Sequence, residues 1–349
     1  MPVSIVIGGQ FGSEGKGKVA LELVRQTAEA DTAVVRVGGS NSGHTAYDKN
    51  GKRFALRQLP AGCIDRDVKV VFPPGFFVDL DLLTTEIEEL DYPRDRIFIS
   101  NFARIVTAEH KKWEEDAGLG AAIGSTGSGV GGAMMALVAR GARNFPLSAL
   151  SDAQHCEPLA RYVTDTSLLL RQMLDKGQRV IVEGSQGFGL SLSDGGYWPK
   201  ATSRGTTAAA ALAETGLSPI DVDCVILVLR AFPIRVAGNS GPLHGETTWD
   251  EIASAHGLVS DIREFTTVTN RLRRVGQFDH QLVRRAITTN NPTHLALNHL
   301  DYIGNEDDLK FRDSKLNRFI SSVEENIKKS IDFYGFSGRS MRKSAREFI

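Results

Sequence analysis

Residues 3–19 read VSIVIGGQFGSEGKGKV, from Val3 to Val19. A short apolar run, Val3–Ile7, stops at Gly8-Gly9, as a buried strand does. The stretch Val19–Arg25 then reads as a helix. Between them Gly12-Ser13-Glu14-Gly15-Lys16-Gly17-Lys18 fits the pattern GxxxxGK. Glycines let successive backbone N–H groups converge on phosphate oxygens, and the helix start adds positive potential. The segment therefore predicts strand, phosphate-binding loop and helix. A standard loop of this kind has Ser or Thr next, to hold Mg²⁺. Here it is Val19, so a metal must find another ligand.

The same punctuation recurs outward from this segment. Apolar runs Val34–Val37, Val68–Phe72, Ile97–Ser100, Val180–Val182, Val225–Val228 and Leu295–Leu297 read as strands. Leu80–Leu90 reads as a helix, and the tail after Lys310 as helical until about Lys329. Alternation of this kind predicts an α/β fold: a central, mainly parallel sheet with a P-loop-like phosphate-binding loop and inserted loops. No repeat or linker interrupts it, so residues 1–349 are expected to form a single domain. Ligands of such sheets bind at the carboxyl ends of the strands.

Composition excludes several classes. A net charge of −1 gives no electrostatic reason for general nucleic-acid or membrane-surface binding. Cys63, Cys156 and Cys224 are scattered, without metal-ligand spacing, and fit a reducing cytoplasm. No apolar run reaches membrane-spanning length. The 35 glycines point to backbone that approaches something closely.

A second glycine-rich loop follows the second strand: Gly38-Gly39-Ser40-Asn41-Ser42-Gly43-His44-Thr45. Imidazole titrates near neutral pH, so His44 can give or take a proton beside a phosphate. A structural role for a lone histidine weighs equally on these residues alone.

The two loops together resemble the adenylosuccinate synthetase family, whose pattern is close to QWGDEGKGK followed by GGxNAGHT. Further segments resemble it in collinear order: IGSTGSGVGG (Ile123–Gly132), VARG (Val138–Gly141), VEGSQG (Val182–Gly187), Ala201-Thr202-Ser203, EFTTVTNRLRR (Glu264–Arg274), Asn298-His299-Leu300-Asp301 in place of TKLD, and Ser337-Gly338. One departure stands out. Ser13 takes the place of the family aspartate in GDEGKGK. A serine there, and a chain shorter than the usual bacterial enzyme, resemble the phage branch of the family that acts on dGMP.

The resemblance implies a ligase with Mg²⁺ as cofactor and a nucleotide, L-aspartate and a nucleoside triphosphate as substrates. A γ-phosphoryl group goes to the purine 6-oxygen, and the aspartate amine then displaces phosphate. On the phage branch this joins aspartate to dGMP with ATP, giving N6-succino-2-amino-2′-deoxyadenylate for 2-aminoadenine in phage DNA. The alternative is the ordinary enzyme, using IMP and GTP. By resemblance Ser13, Lys16 and His44 are catalytic. Ser13, Asn41, Ser125, Thr126, Arg140, Gln186, Thr202 and Arg271 bind the nucleotide. Val268, Thr269 and Arg271 bind aspartate. Gly15, Lys16, Gly17, Lys18, Gly43, His44, Thr45, Arg273, Asn298, Asp301, Ser337 and Gly338 attend the triphosphate, and Ser13 and Gly43 the metal. Arg140 reaches the monophosphate of a neighbouring subunit, which implies a homodimer, in the host cytoplasm if phage-encoded.

Two residues pull the triphosphate base in opposite directions. Asp301 can accept from guanine's N–H groups, whereas Asn298 offers the donor and acceptor pair that suits adenine. The phage-branch resemblance favours ATP. A nucleotide switch protein would also carry an NKxD-like segment, but it lacks any place for the histidine loop.

Overall fold

The computed structural model describes residues 3–27, 32–64, 67–266, 270–338 and 340–344. In chain order the strands are β1 (Val3–Gly8), β2 (Thr32–Arg36), β3 (His44–Tyr47), β4 (Arg53–Leu56), β5 (Lys69–Phe72), β6 (Phe77–Val78), β7 (Ile97–Ser100), β8 (Arg104–Ile105), β9 (Val163–Thr164), β10 (Arg179–Glu183), β11 (Val222–Arg230), β12 (Ile234–Arg235), β13 (Glu246–Thr247), β14 (Arg274–Gly276), β15 (His294–Asn298), β16 (Phe333–Phe336) and β17 (Ser340–Lys343). The helices are α1 (Lys16–Arg25), α2 (Leu80–Leu90), α3 (Ala108–Asp116), α4 (Leu119–Ile123), α5 (Val130–Ala139), α6 (Thr166–Asp175), α7 (Ala208–Thr215), α8 (Trp249–His256), α9 (His280–Asn290) and α10 (Lys315–Ile327).

Ten strands make one sheet in the order β17-β16-β15-β11-β1-β10-β2-β5-β7-β9. Every neighbouring pair is parallel except β16 with β17. The α/β expectation with a mainly parallel sheet is met. Both faces are covered, which is why these strands read as continuous apolar runs rather than alternating ones. Val3, Ile5 and Ile7 enter one core with residues of α6, α7, α9 and α10. Val6 points the other way, into a second core with Val19, Leu21 and Val24 of α1. Among the described residues no helix is long and apolar enough to cross a membrane.

Differences from the sequence reading have local causes. Helix α1 begins at Lys16, three residues before Val19, because its first turn is buried polar chain beneath the loop. The tail helix is α10, capped by the Ser314 side chain on the Asn317 amide, and after it β16 and β17 form an antiparallel edge. The insert α3–α5 between β8 and β9 was not anticipated. Its α5 is apolar nearly all round and glycine-rich, so it has no helical periodicity to read.

Candidate active site

The five central strands end together, and their last residues set the chemistry. In sheet order these are Asn298, Arg230, Gly8, Glu183 and Arg36. All but the glycine carry polar or charged side chains, and those four are completely buried. Burying charge is costly unless it is paired, so the loops above must satisfy them.

The phosphate loop folds around its own carboxylate. Glu14 Oε1 accepts from the Gln10 amide at 3.1 Å and the Gly12 amide at 2.8 Å. Its Oε2 pairs with Lys16 Nζ at 2.8 Å, both side chains being buried. Two amides and the lysine are thus engaged internally. What remains for phosphate is the start of α1, whose cap Gly15 (φ 93) supplies no side-chain hydrogen bond. Gly17 has a packing reason as well: a Cβ there would lie 2.6 Å from Ala61 Cβ and 3.2 Å from His44 Cβ. The glycine lets α1 press against the histidine loop.

His44 begins β3 and is buried. Its Nδ1 contacts the Glu183 carboxylate, and Arg36 Nη1 lies 2.9 Å from Nε2. Ser42 Oγ is 3.3 Å from the same Nε2. Glu183 also accepts from the amides of Ala61 at 3.0 Å and Gly62 at 3.1 Å. Burial first, and the Arg36 charge second, push the His44 pKa down to about 3. Burial opposes ionisation of Glu183, but His44, Arg36 and the Ala61 amide pull its pKa down to about 2. Burial and the Arg36 charge favour the neutral ring, whose Nδ1 faces the Glu183 carboxylate while Arg36 Nη1 lies 2.9 Å from both ring nitrogens. On the residues alone His44 is either a proton-transfer group or a structural one; here its ring lies between the Glu183 carboxylate and the Arg36 guanidinium.

The expected nucleotide-binding residues converge beside this loop. Asn41 Nδ2 donates to the Thr202 carbonyl at 3.2 Å, and Gln186 Nε2 to the Asn41 carbonyl at 3.0 Å. A Cβ on Gly187 would collide with Glu14 and the Gly12 amide, so that loop lies directly on the phosphate loop. Ser125 Oγ donates to Glu114 at 3.4 Å, and Thr126 bonds Ser128, whose carbonyl lies 3.5 Å from Ser40 Oγ. Arg140, at the end of α5, stands apart: it is exposed and has no side-chain partner among the described residues. Arg271 is exposed too. Val268 and Thr269 lie outside the described residues.

Arg273, expected at the triphosphate, meets the phosphate loop at Ser13. Its Nη1 donates to the Ser13 hydroxyl and lies 3.8 Å from Glu264. Glu264 also bonds Arg230 and accepts from Tyr302 Oη at 2.9 Å. Burial would raise the Glu264 pKa, but Arg230 above all draws it down to about 2.

On the far side of α1, Lys18 Nζ donates to the Ser337 carbonyl at 3.0 Å. Burial pulls its pKa down to about 8, partly offset by Asp301. Asp301 and Ser337 line a cavity of about 660 Å³ with Ile303, Lys315 and Phe336. Asp301 Oδ1 is buried there without a partner, an acceptor suited to a purine N–H. Gly338 lies against Tyr47. Asn298 does not reach this cavity wall in the expected way. Its Nδ2 donates to the Glu14 carbonyl at 2.7 Å, and it packs between Gly15 and Gly335. In this arrangement Asn298 supports the phosphate loop through Nδ2, and its Oδ1 is buried without a hydrogen-bond partner.

Among the described residues no cluster of three His, Cys, Asp or Glu suits a metal. The expected donors are Ser13, whose hydroxyl is held by Arg273, and Gly43, which is exposed beside Thr45. Glu14 is sealed against Lys16. Mg²⁺ takes few protein oxygens and completes its shell with phosphate and water. Such a set fits a metal held chiefly by the triphosphate.

A phosphate loop at a central parallel strand and a buried histidine–carboxylate pair at the carboxyl ends of the sheet are features of a nucleotide-binding α/β protein. Residues 5–154 and 147–314 match the adenylosuccinate synthetase family. The chain belongs to that family and is a ligase of its type. It is 38% identical to the adenylosuccinate synthetase of Pyrococcus sp. (strain ST700) over 335 residues, 94% of this chain and 93% of that one. It is 36% identical to that of Methanocaldococcus jannaschii over 92% of this chain and 90% of that one. Among solved structures it resembles succinoaminodeoxyadenylate synthetase of cyanophage S-2L, bound to dGMP and to dATP as energy donor. That similarity has a TM-score of 0.80 at 27% identity, covering 98% of this chain and 95% of that one. The Plasmodium falciparum adenylosuccinate synthetase shares the fold, with a TM-score of 0.82 at 21% identity, over 98% and 99% of the two chains. Chain length does not separate the branches, because these archaeal synthetases match this chain over 90–93% of their own length.

The sequence reading missed Glu14, Arg36, Glu183, Arg230, Glu264 and Tyr302. For three of them a signal was present: a lone charge closing an apolar strand, as in VVR, VIVE and VILVLR.

Proposed function

We propose that the enzyme joins L-aspartate to dGMP, driven by ATP, through a 6-phosphoryl intermediate, giving N6-succino-2-amino-2′-deoxyadenylate. The observation that carries this reading is Ser13, standing where the family pattern has aspartate. A serine leaves room for the guanine 2-amino group that IMP lacks. The cyanophage protein bound to dGMP and dATP supports it.

Ser13 is a poor base, so the ring N1 proton passes to water or phosphate. His44, which burial and Arg36 hold neutral, donates an N–H to the purine 6-oxygen. Lys16 exchanges Glu14 for a triphosphate oxygen, and the α1 amides share that charge. Gly43 and Ser13 would hold a Mg²⁺, which would neutralise charge on the transferring group. Asp301 accepts from the base of the donor in the cavity beside Ser337. That acceptor serves adenine or guanine, so ATP rests on the cyanophage likeness alone. The active assembly is a homodimer in which Arg140 reaches the partner's monophosphate.

The second reading is the ordinary enzyme on IMP and GTP, favoured by the names of the archaeal relatives. Product formation from dGMP, GMP and IMP, each with ATP and with GTP, decides. We expect succinylated product from dGMP with ATP, and Ser13→Asp to shift preference toward IMP. Equal or better use of IMP by the parent enzyme would overturn the dGMP reading.

A further inference from the structure

The three loops expected to hold the nucleotide meet around one peptide, that of Gly38. Its φ is 90, and a Cβ there would lie 2.8 Å from Ser185, the neighbour of Gln186. Its carbonyl accepts from the Phe77 amide at 2.9 Å. Its amide donates to Glu214 Oε2 at 2.7 Å. Glu214 stands in the last turn of α7. Its other oxygen, Oε1, pairs with Arg204 Nη2 at 2.9 Å, and the same nitrogen donates to the Gly75 carbonyl at 2.8 Å. Arg204 follows Thr202-Ser203 directly. The Gly75 amide donates to the Glu214 carbonyl at 3.2 Å, and a Cβ on Gly75 would collide with the Glu214 side chain. One carboxylate thus joins two loops, with a charge-assisted contact on each oxygen.

We infer that Glu214 is a positioning residue for the nucleotide monophosphate: with Arg204 it ties Gly38 of the histidine loop to the loop that carries Thr202, and so sets the spacing of Asn41, Gln186 and Thr202. Those three are joined to one another through Asn41, whose side chain donates to the Thr202 carbonyl and whose carbonyl accepts from Gln186. A nucleotide that engages these side chains takes them from one another. The Glu214 contacts go to the Gly38 amide and to Arg204, so they survive and keep the loops in register. His44, further along the same loop, is held separately by Arg36 and Glu183, so the tie bears on binding rather than on the reacting group. The inference rests on the assignment of Asn41, Gln186 and Thr202 to the monophosphate, not on the choice of purine.

Steady-state kinetics on whichever monophosphate the parent turns over, beside melting temperatures, tests this. Glu214→Ala should raise the monophosphate KM roughly tenfold, the effect of losing a hydrogen bond to a charged group, with kcat and the triphosphate KM near the parent's. Glu214→Gln keeps an acceptor for the Gly38 amide and should recover most of that loss. Arg204→Gln changes a partly exposed side chain, so it folds whatever becomes of Glu214→Ala, and it should raise the same KM about threefold, as loss of a partly exposed ion pair does. A residue that served stability alone would lower the melting temperature and leave KM unmoved. Asn41→Ala tests the assignment itself. If it raises the monophosphate KM while Glu214→Ala and Arg204→Gln do not, or if their effect falls only on kcat or on the triphosphate, the inference is overturned and the assignment stands. If Asn41→Ala also leaves that KM unmoved, the assignment fails and the inference falls with it.

Discussion

At His44 two demands meet in one ring. The proposed chemistry needs a group that handles a proton near the purine, yet the fold surrounds it with Arg36 and Glu183. The linkage follows from its depressed pKa. An unfolded histidine titrates near 6.5 and the folded one near 3. Between those values the unfolded chain binds more protons, so folding stability falls as pH drops from about 6.5 toward 3. Between pH 6.5 and 5 this amounts to roughly 2 kcal/mol. His44→Asn removes that contribution. Its melting temperature should therefore fall less between pH 7 and pH 5 than the parent's does. In the same protein turnover should drop about a hundredfold, the scale of a positioned acid–base group, while nucleotide affinity holds. A variant with parental pH sensitivity and parental turnover would show that the ring neither titrates as argued nor takes part in the reaction. Scanning calorimetry across pH and steady-state kinetics on one preparation provide both readings.

The elements show what a sequence exposes and what it hides. The strand, loop and helix of residues 3–25 were legible because periodicity and glycine spacing are local. The Asn41–Gln186–Thr202 cluster was legible through motif resemblance, although its members come from three separate loops. Glu183 and Arg36 were not, because they meet at His44, 139 and 8 residues away, only once β2, β10 and the loop after β2 are in place. The contact of Asn298 with the Glu14 carbonyl, 284 residues distant, was hidden for the same reason. Gly17 illustrates a residue whose local reading was incomplete. Glycine in a first turn looked like a phosphate requirement, yet its missing Cβ is also what seats α1 on Ala61 and His44. Gly17→Ala tests this. Alanine gains up to about 1 kcal/mol of helix propensity, but the overlap with Ala61 costs about 1–3 kcal/mol as overpacking does. A net fall in melting temperature with reduced turnover is expected. A stabilised, fully active variant would mean that α1 has slack against the histidine loop.

Across the whole molecule the sheet gathers the site at one end, and Arg140, exposed at the end of α5, makes no side-chain contact with it among the described residues. This arginine ends α5 in a left-handed conformation, exposed, beside Met135 and Val138, which are 40% and 67% exposed. An apolar helix face next to an unpaired arginine is a costly surface for an isolated chain. It suits a two-fold interface in which the same patch meets itself and each arginine crosses to the other site. The guanidinium fork matches a monophosphate bidentately, and no other role for it is evident within one chain. Complementation tests this directly. Arg140→Ala protein lacks the crossing group, and His44→Asn protein lacks its own reacting ring. A hybrid dimer contains one site with His44 from one chain and Arg140 from the other. If the two homodimers are each nearly inactive, mixing them after dissociation should restore about a quarter of parental activity, by statistical assembly of symmetric dimers. Sedimentation velocity confirms whether dimers form, and tagged chains confirm that they have mixed. Mixed dimers without recovered activity would place Arg140 in its own chain's site, and a monomeric parent with full turnover would remove the interface altogether.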